Sequence, residues 1–135
     1  MKRIFRGKTL SQDEHFDDGE WVEGYYTCFN GKEHRIYSGY SETDCGDYYP
    51  DWFNVRPETV GQYTGLLDKD GKKVFEGDII SFGLRFCVVK YDMENARYMF
   101  YENGRHKLDG FNCETMKLKE VIGNVFDNAE LIEVN

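Results

Sequence analysis

The sequence predicts a mainly β fold, a small SH3-like β-barrel with additional N-terminal strands. Three observations predict it. Apolar and aromatic runs are short and closely spaced, glycine-bearing turns separate them, and almost no stretch keeps a helical period. Residues 60–80, VGQYTGLLDKDGKKVFEGDII, show all three within one segment. There Tyr63, Leu66 and Leu67 supply apolar contacts, and Asp68-Lys69-Asp70-Gly71 is turn chemistry, because Asp bonds its own backbone and Gly accepts positive φ. Val74-Phe75 resumes the chain, and Gly77-Asp78 bends it into Ile79-Ile80-Ser81-Phe82. That bend, followed by turn, strand, turn and strand, is the arrangement that resembles an SH3-like barrel.

Each element follows in order. Residues 2–8 read as a short strand ended by Gly7, and residues 11–19 as a polar, acidic loop. Residues 20–29 are rich in aromatic and branched side chains and read as a strand bent at Gly24. Asn30-Gly31 is the strongest hairpin signal in the chain, with Arg35-Ile36-Tyr37 returning as the partner. Residues 38–53, SGYSETDCGDYYPDWF, are acidic and aromatic without a clear period. They read as a loop, with or without a short paired segment, tied down by Tyr48, Tyr49, Trp52 and Phe53. Arg56 precedes Pro57 and is expected to be extended.

Beyond Ile80 the pattern is regular. Residues 85–91 are apolar on both faces, as in a central strand. Asp92-Met93-Glu94-Asn95 turns, residues 97–102 return, and Asn103-Gly104 turns again into residues 105–108 before Asp109-Gly110 breaks the run. Residues 114–119 fit a helical turn or a strand lead-in equally. Residues 120–126 read as a strand with a bulge or close contact at Gly123. Asp127 or Asn128 is placed to cap a short helical turn carrying Leu131 and Ile132.

At 135 residues the chain suits a single domain, with an N-terminal β segment over 1–55 and the barrel over 56–135. A hydrophobic fraction of 40% and an aromatic fraction of 16% exclude a disordered composition. With 25 acidic against 17 basic residues the formal charge is −8, which disfavours broad binding to polyanions. No apolar run approaches the ~20 residues of a membrane span, and the N-terminus lacks the apolar region of a signal peptide. A cytoplasmic location is expected. Cys28, Cys45, Cys87 and Cys113 are scattered, and the expectation is four free, at least partly buried thiols.

No catalytic, cofactor or metal motif emerges. Counting from Asp68, a calcium loop would need glycine where Lys73 stands and glutamate where Ile79 stands. His15, His34 and His106 have no neighbour at metal-ligand spacing, so surface histidines are the better reading. Cys113 with His106 would make a nucleophile and base only if their strands met, and nothing near them supplies an oxyanion hole. The glycines match neither a phosphate loop nor a dinucleotide fingerprint. The expectation is a protein that is not an enzyme.

Two surfaces remain as candidates. Tyr48, Tyr49, Asp51, Trp52 and Phe53, with Asp44, Asp47 and Pro50, set aromatic area beside acidic charge, which suits docking on a basic protein surface. The competing structural role is aromatics capping an open barrel end. The alternative is a nucleic-acid surface built from Arg3, Arg6, Lys8, Lys72, Lys73, Arg105 and Lys107 beside aromatic strands. Given the net charge, a solvated mixed-charge surface competes strongly with it.

Three blocks carry a resemblance to a known family. They are Phe5-Arg6-Gly7-Lys8 followed by residues 19–25, GEWVEGY; residues 60–79; and residues 121–131, VIGNVFDNAEL. In this order they resemble the YopX family of phage and prophage proteins, across essentially the whole chain. Ala129 stands where that family commonly has proline, and residues 29–53 match least and read as a variable insertion. The resemblance implies the fold above and a phage or prophage setting, with no particular activity. The function expected is an accessory protein that binds a host or phage protein or itself, with nucleic-acid binding as the alternative.

Overall fold

The computed structural model describes residues 3–10, 19–108 and 110–132, with the side chain of Tyr49 left out. The polar loop expected at residues 11–18, His15 within it, and Asp109 lie outside the described residues. The chain divides into two compact units, Met1–Gln62 and Tyr63–Asn135.

The first unit is an antiparallel sheet of β1 (Phe5–Lys8), β2 (Trp21–Phe29), β3 (Glu33–Glu42) and β4 (Tyr48–Asn54), in the order β4-β3-β2-β1. Gly61 and Gln62, which begin β5 (Gly61–Leu67), pair with the far side of β1. Asn30 and Gly31 both take positive φ, 54° and 66°, and the Lys32 N–H donates to the Phe29 carbonyl, the tight turn their identities predict. Val22, Ile36, Phe53 and Val55 form the core of this unit, with Phe5, Tyr26 and Val60 packed against them.

Residues 38–53 are not a loop. β3 runs on to Glu42 and β4 returns from Tyr48, making a second hairpin whose register shifts between Tyr37 and Gly39. That bulge inserts Ser38 and reverses the inside–outside alternation along β3, so no single period runs through both strands of the hairpin, although β4 itself alternates without a break. The hairpin closes at Thr43, whose N–H donates to the Asp47 carbonyl at 2.7 Å while its Oγ1 accepts from the Asp47 N–H at 3.1 Å.

In the second unit the rest of β5 pairs with β6 (Lys73–Phe75), with a register shift between Tyr63 and Leu67 where Gly65 takes φ 91°. A separate five-stranded antiparallel sheet holds β7 (Asp78–Phe82), β8 (Arg85–Asp92), β9 (Arg97–Glu102), β10 (His106–Leu108) and β11 (Glu120–Asn124), in the order β10-β9-β8-β7-β11. Cys87, Val88 and Val89 are all buried, as a central strand requires. α1 (Cys113–Met116) resolves the ambiguous segment as a helical turn: Asn112 Oδ1 accepts from the Thr115 N–H at 2.9 Å, and Met116 drops into the core. Val74, Ile80, Val89, Phe100 and Val121 pack around it.

The expected SH3-like barrel does not form, because neither sheet closes on itself among the described residues. β6 pairs back onto β5, whereas the turn at Glu76-Gly77 sends β7 into the other sheet, whose outer strands are β10 and β11. The bulge at Gly123 is present, and β11 stops at Asn124, whose Oδ1 accepts from the Phe126 and Asp127 N–H groups at 3.0 and 2.9 Å. Asn128 precedes the short 3-10 turn Ala129–Leu131 without a side-chain cap, its Oδ1 instead accepting from the Asn124 N–H at 3.1 Å.

All four cysteines are free thiols, but Cys28, Cys45 and Cys113 are exposed and only Cys87 is buried. Cys28 lies at the turn end of the β2–β3 hairpin, Cys45 in the β3–β4 turn and Cys113 at the start of α1, all three exposed. Burial pushes the Cys87 thiol up to about 11, with Glu102 adding to the effect. With a thiol reagent at pH 8, three cysteines are expected to react rapidly and Cys87 only on unfolding. Rapid reaction of all four in the folded protein would contradict its burial.

Candidate functional site

The most distinctive surface lies on the β2–β3–β4 sheet. Side chains alternate across a strand, so the register sorts them into two faces. Tyr26, Ile36 and Phe53 lie opposite one another and face the core, and Tyr25, Tyr37 and Trp52 form the next row on the opposite face. Beyond the bulge the same outer face continues with Tyr40 opposite Pro50 and Glu42 opposite Tyr48. Tyr40 is 76% exposed, Tyr48 72%, Tyr25 58%, Phe29 51% and Trp52 39%, which makes this an aromatic sheet face without a covering layer among the described residues.

Arg35 organises the middle of it. Its guanidinium carbon lies 4.1 Å from the Trp52 ring centroid and 5.0 Å from that of Phe29, and its Nη2 donates to Glu33 Oε2 at 2.6 Å. Hydrogen bonding to the Tyr37 side chain, and then to Glu33, raises its pKa further. A planar cation between two rings is a rigid platform, with side-chain entropy already lost before any partner arrives. Lys32 and Arg35, with Arg6 and Lys8 of β1 on the same face, are the cations near this surface, against exposed Glu23 (opposite Arg6), Glu33 (held by Arg35), Glu42, Asp44 and Asp47.

The structure separates the residues that sequence reasoning grouped together. Tyr48 and Trp52 are on the aromatic face, but Phe53 is a core residue and unavailable to a partner. Asp51 is half-buried and points to the other side, both carboxylate oxygens accepting from Ser41 Oγ at 2.8 and 2.7 Å. The Tyr49 side chain lies outside the described residues. Tyr25, Phe29, Arg35 and Tyr40 were missed, although Tyr25-Tyr26-Thr27-Cys28-Phe29 carries an alternation that could have placed the first two.

The seven basic candidates do not share one element. Arg3, Arg6 and Lys8 belong to the first unit, where Arg6 and Lys8 lie 4.6 and 5.4 Å from the Trp21 ring centroid. Lys72 and Lys73 belong to the β5–β6 hairpin, and Arg105 and Lys107 to the β9–β10 hairpin. Lys107 is occupied by Asp92 and Glu94, at 3.0 and 3.1 Å. These two carboxylates push its pKa up to about 12.

The other chemical candidates stay apart. His106 and Cys113 are both exposed, with no hydrogen bond between them among the described residues. His34 is stacked on Tyr26 and bonded to its hydroxyl at 2.5 Å, a structural contact. Among the described residues no three His, Cys, Asp or Glu side chains gather to hold a metal ion. No helix among them is long and apolar enough to cross a membrane.

Comparison with known proteins agrees with the extent of this fold. The crystal structure of protein EF1440 from Enterococcus faecalis superposes with a TM-score of 0.63 at 22% identity, covering 98% of this chain and 99% of that one, so the two share a fold. No curated protein matches the chain. The family model described as YopX protein matches residues 13–133, nearly the whole length, and the chain belongs to the YopX family.

Proposed function

We propose that this is a non-enzymatic phage or prophage accessory protein, acting in the cytoplasm, that binds another protein through the outer face of β2, β3 and β4. The observation that carries the reading is the exposed set Tyr25, Phe29, Tyr40, Tyr48 and Trp52 around a stacked Arg35. Tyr, Trp and Arg are the residue types that dominate binding hot spots, because they offer large rigid contact area with a polar handle. The exposed carboxylates Glu42, Asp44 and Asp47 at the end of the face that carries Tyr40 and Tyr48 favour a basic partner surface and disfavour a nucleic-acid strand stacking on those rings.

The open edge of β4 is a poorer docking place than the face. Thr43 and Asp47 are backbone-bonded, so Tyr40 and Pro50, three positions along each strand, form a non-bonded pair. The N–H that proline lacks is therefore one that would point to the open edge. Pro50 blunts strand addition there.

The test is affinity capture from phage-infected host cells with the parent and with Tyr40→Ser combined with Tyr48→Ser. Both rings are more than 70% exposed, so the double variant should melt within a degree or two of the parent. The parent should retain a basic protein that the variant loses, insensitive to nuclease and weakened at high salt. Identical capture by the two proteins would defeat the reading. Capture abolished by nuclease would favour nucleic acid, and concentration-dependent dimerisation lost in the variant would make the partner a second copy.

A further inference from the structure

The second unit carries a cleft of about 430 Å³ beside the β9–β10 hairpin. Its aliphatic side is made by Val88 of β8 with Val125, Ala129 and Ile132 of the C-terminal turns, and its polar side by Lys90 and Arg105. No carboxylate among the described residues lines it. In a chain of formal charge −8, two cations facing a cavity whose described lining holds no acidic group run against the average composition.

Neither cation is neutralised among the described residues. Lys90 Nζ donates to the Gly104 carbonyl at 2.8 Å and stands 5.3 Å from the Tyr101 ring centroid, contacts that fix the ammonium without cancelling its charge. Arg105 is exposed and has no carboxylate partner among the described residues. Lys107, two residues along, is different, being held by Asp92 and Glu94. The hairpin also has no backbone cradle for a phosphate. The N–H groups of Asn103, Gly104 and Arg105 donate to the carbonyls of Phe86, Tyr101 and Glu102, each at 2.9 Å.

We propose that this cleft binds a small organic monocarboxylate with an aliphatic body. The carboxylate meets Lys90 and Arg105, and the hydrocarbon chain lies on Val88, Val125, Ala129 and Ile132. An apolar cleft with a few convergent polar groups is the usual anatomy of a small-molecule site. Each methylene buried against the aliphatic side should tighten binding about fourfold, until the chain outgrows the cleft.

The experiment is a titration of the isotope-labelled full chain with butanoate, hexanoate and octanoate, followed through backbone amide signals. Saturable shifts are expected at Gly104, Arg105 and Ala129, with affinity rising along the series. Arg105→Gln should weaken octanoate binding at least tenfold with an unchanged melting temperature, since its side chain is exposed. Lys90→Gln should act in the same direction. No saturable shift at these amides would overturn the proposal. So would equal binding of octanol, which lacks the charge, or of inorganic phosphate, which lacks the hydrocarbon. Octanoate affinity unchanged in both variants would overturn it as well.

Discussion

Replacing Asp68 by alanine is expected to cost about 3 kcal/mol or more, lowering the melting temperature by on the order of 10 °C. Asp68 is a turn residue by sequence, yet its side chain is buried and joins two segments far apart in the chain. Oδ1 accepts from the Asp70 and Lys72 N–H groups, both at 2.9 Å, and Oδ2 accepts from the Val121 N–H of β11 at 3.0 Å. The Lys69 N–H adds a bond to the Lys119 carbonyl at 2.9 Å, so the β5–β6 turn is fastened to the start of β11. Alanine would leave three N–H groups without their acceptor, and the Val121 bond is buried. Asparagine would keep the Oδ1 contacts but set an amide N–H against the Val121 N–H, and should fall between alanine and the parent.

The same geometry predicts a pH dependence. Burial raises the Asp68 pKa, but the Val121, Lys72 and Asp70 N–H groups together with the Lys72 charge outweigh it and hold the carboxyl below its ordinary value. A depressed folded pKa means that the stability contributed by this group is fully present above the unfolded value, about pH 4. It is lost as pH falls through the lower folded value. Chemical denaturation should therefore show the gap between parent and Asp68→Asn constant from pH 5 to 7 and narrowing below pH 4. A gap that stays constant down to pH 2 would mean that the carboxylate charge contributes nothing.

Much of the fold was legible because turns are local chemistry. Asn30-Gly31 and Asn103-Gly104 both adopt the positive φ values their identities predict, and Asp68 to Gly71 closes the turn it was assigned. The β7 to β10 meander followed from runs separated by such turns. Pairings set by distant residues were not legible. Nothing near Phe5 announces that β1 lies between β2 and β5, or that β11 pairs with β7 and leaves the sheet open. The aromatic face was hidden for the same reason. Tyr25, Tyr37 and Trp52 come from three strands and become a row only through register. Ser38 at the bulge then breaks the alternation along β3 that would have placed Tyr40 on the same face as Tyr37.

That bulge makes Gly24 the position at which the smallest substitution should have the largest effect in the first unit. Gly24 pairs with Phe5 on one side, and on the other it lies against the backbone of β3 where Ser38 is inserted. A methyl group at Gly24 would be driven into the Tyr37 carbonyl oxygen, 2.7 Å from its carbonyl carbon and 3.0 Å from the Ser38 Cα. These are backbone atoms of a paired strand and cannot rotate away as a flexible side chain would. Gly24→Ala should therefore push β2 from β3 beside the Tyr25–Tyr37 pair and cost about 3 kcal/mol, the upper end for overpacking. Gly39→Ala is the control, because a Cβ there meets nothing within 4 Å. Chemical denaturation of the three proteins should place Gly39→Ala within about 1 kcal/mol of the parent and Gly24→Ala well below both. Equal stability of the two variants would mean that β2 and β3 do not approach as closely as this register requires. If instead Gly24→Ala is destabilised as expected, it should also lose the partner of the aromatic face, since displacing β2 carries Tyr25 and Phe29 away from Arg35 and Trp52.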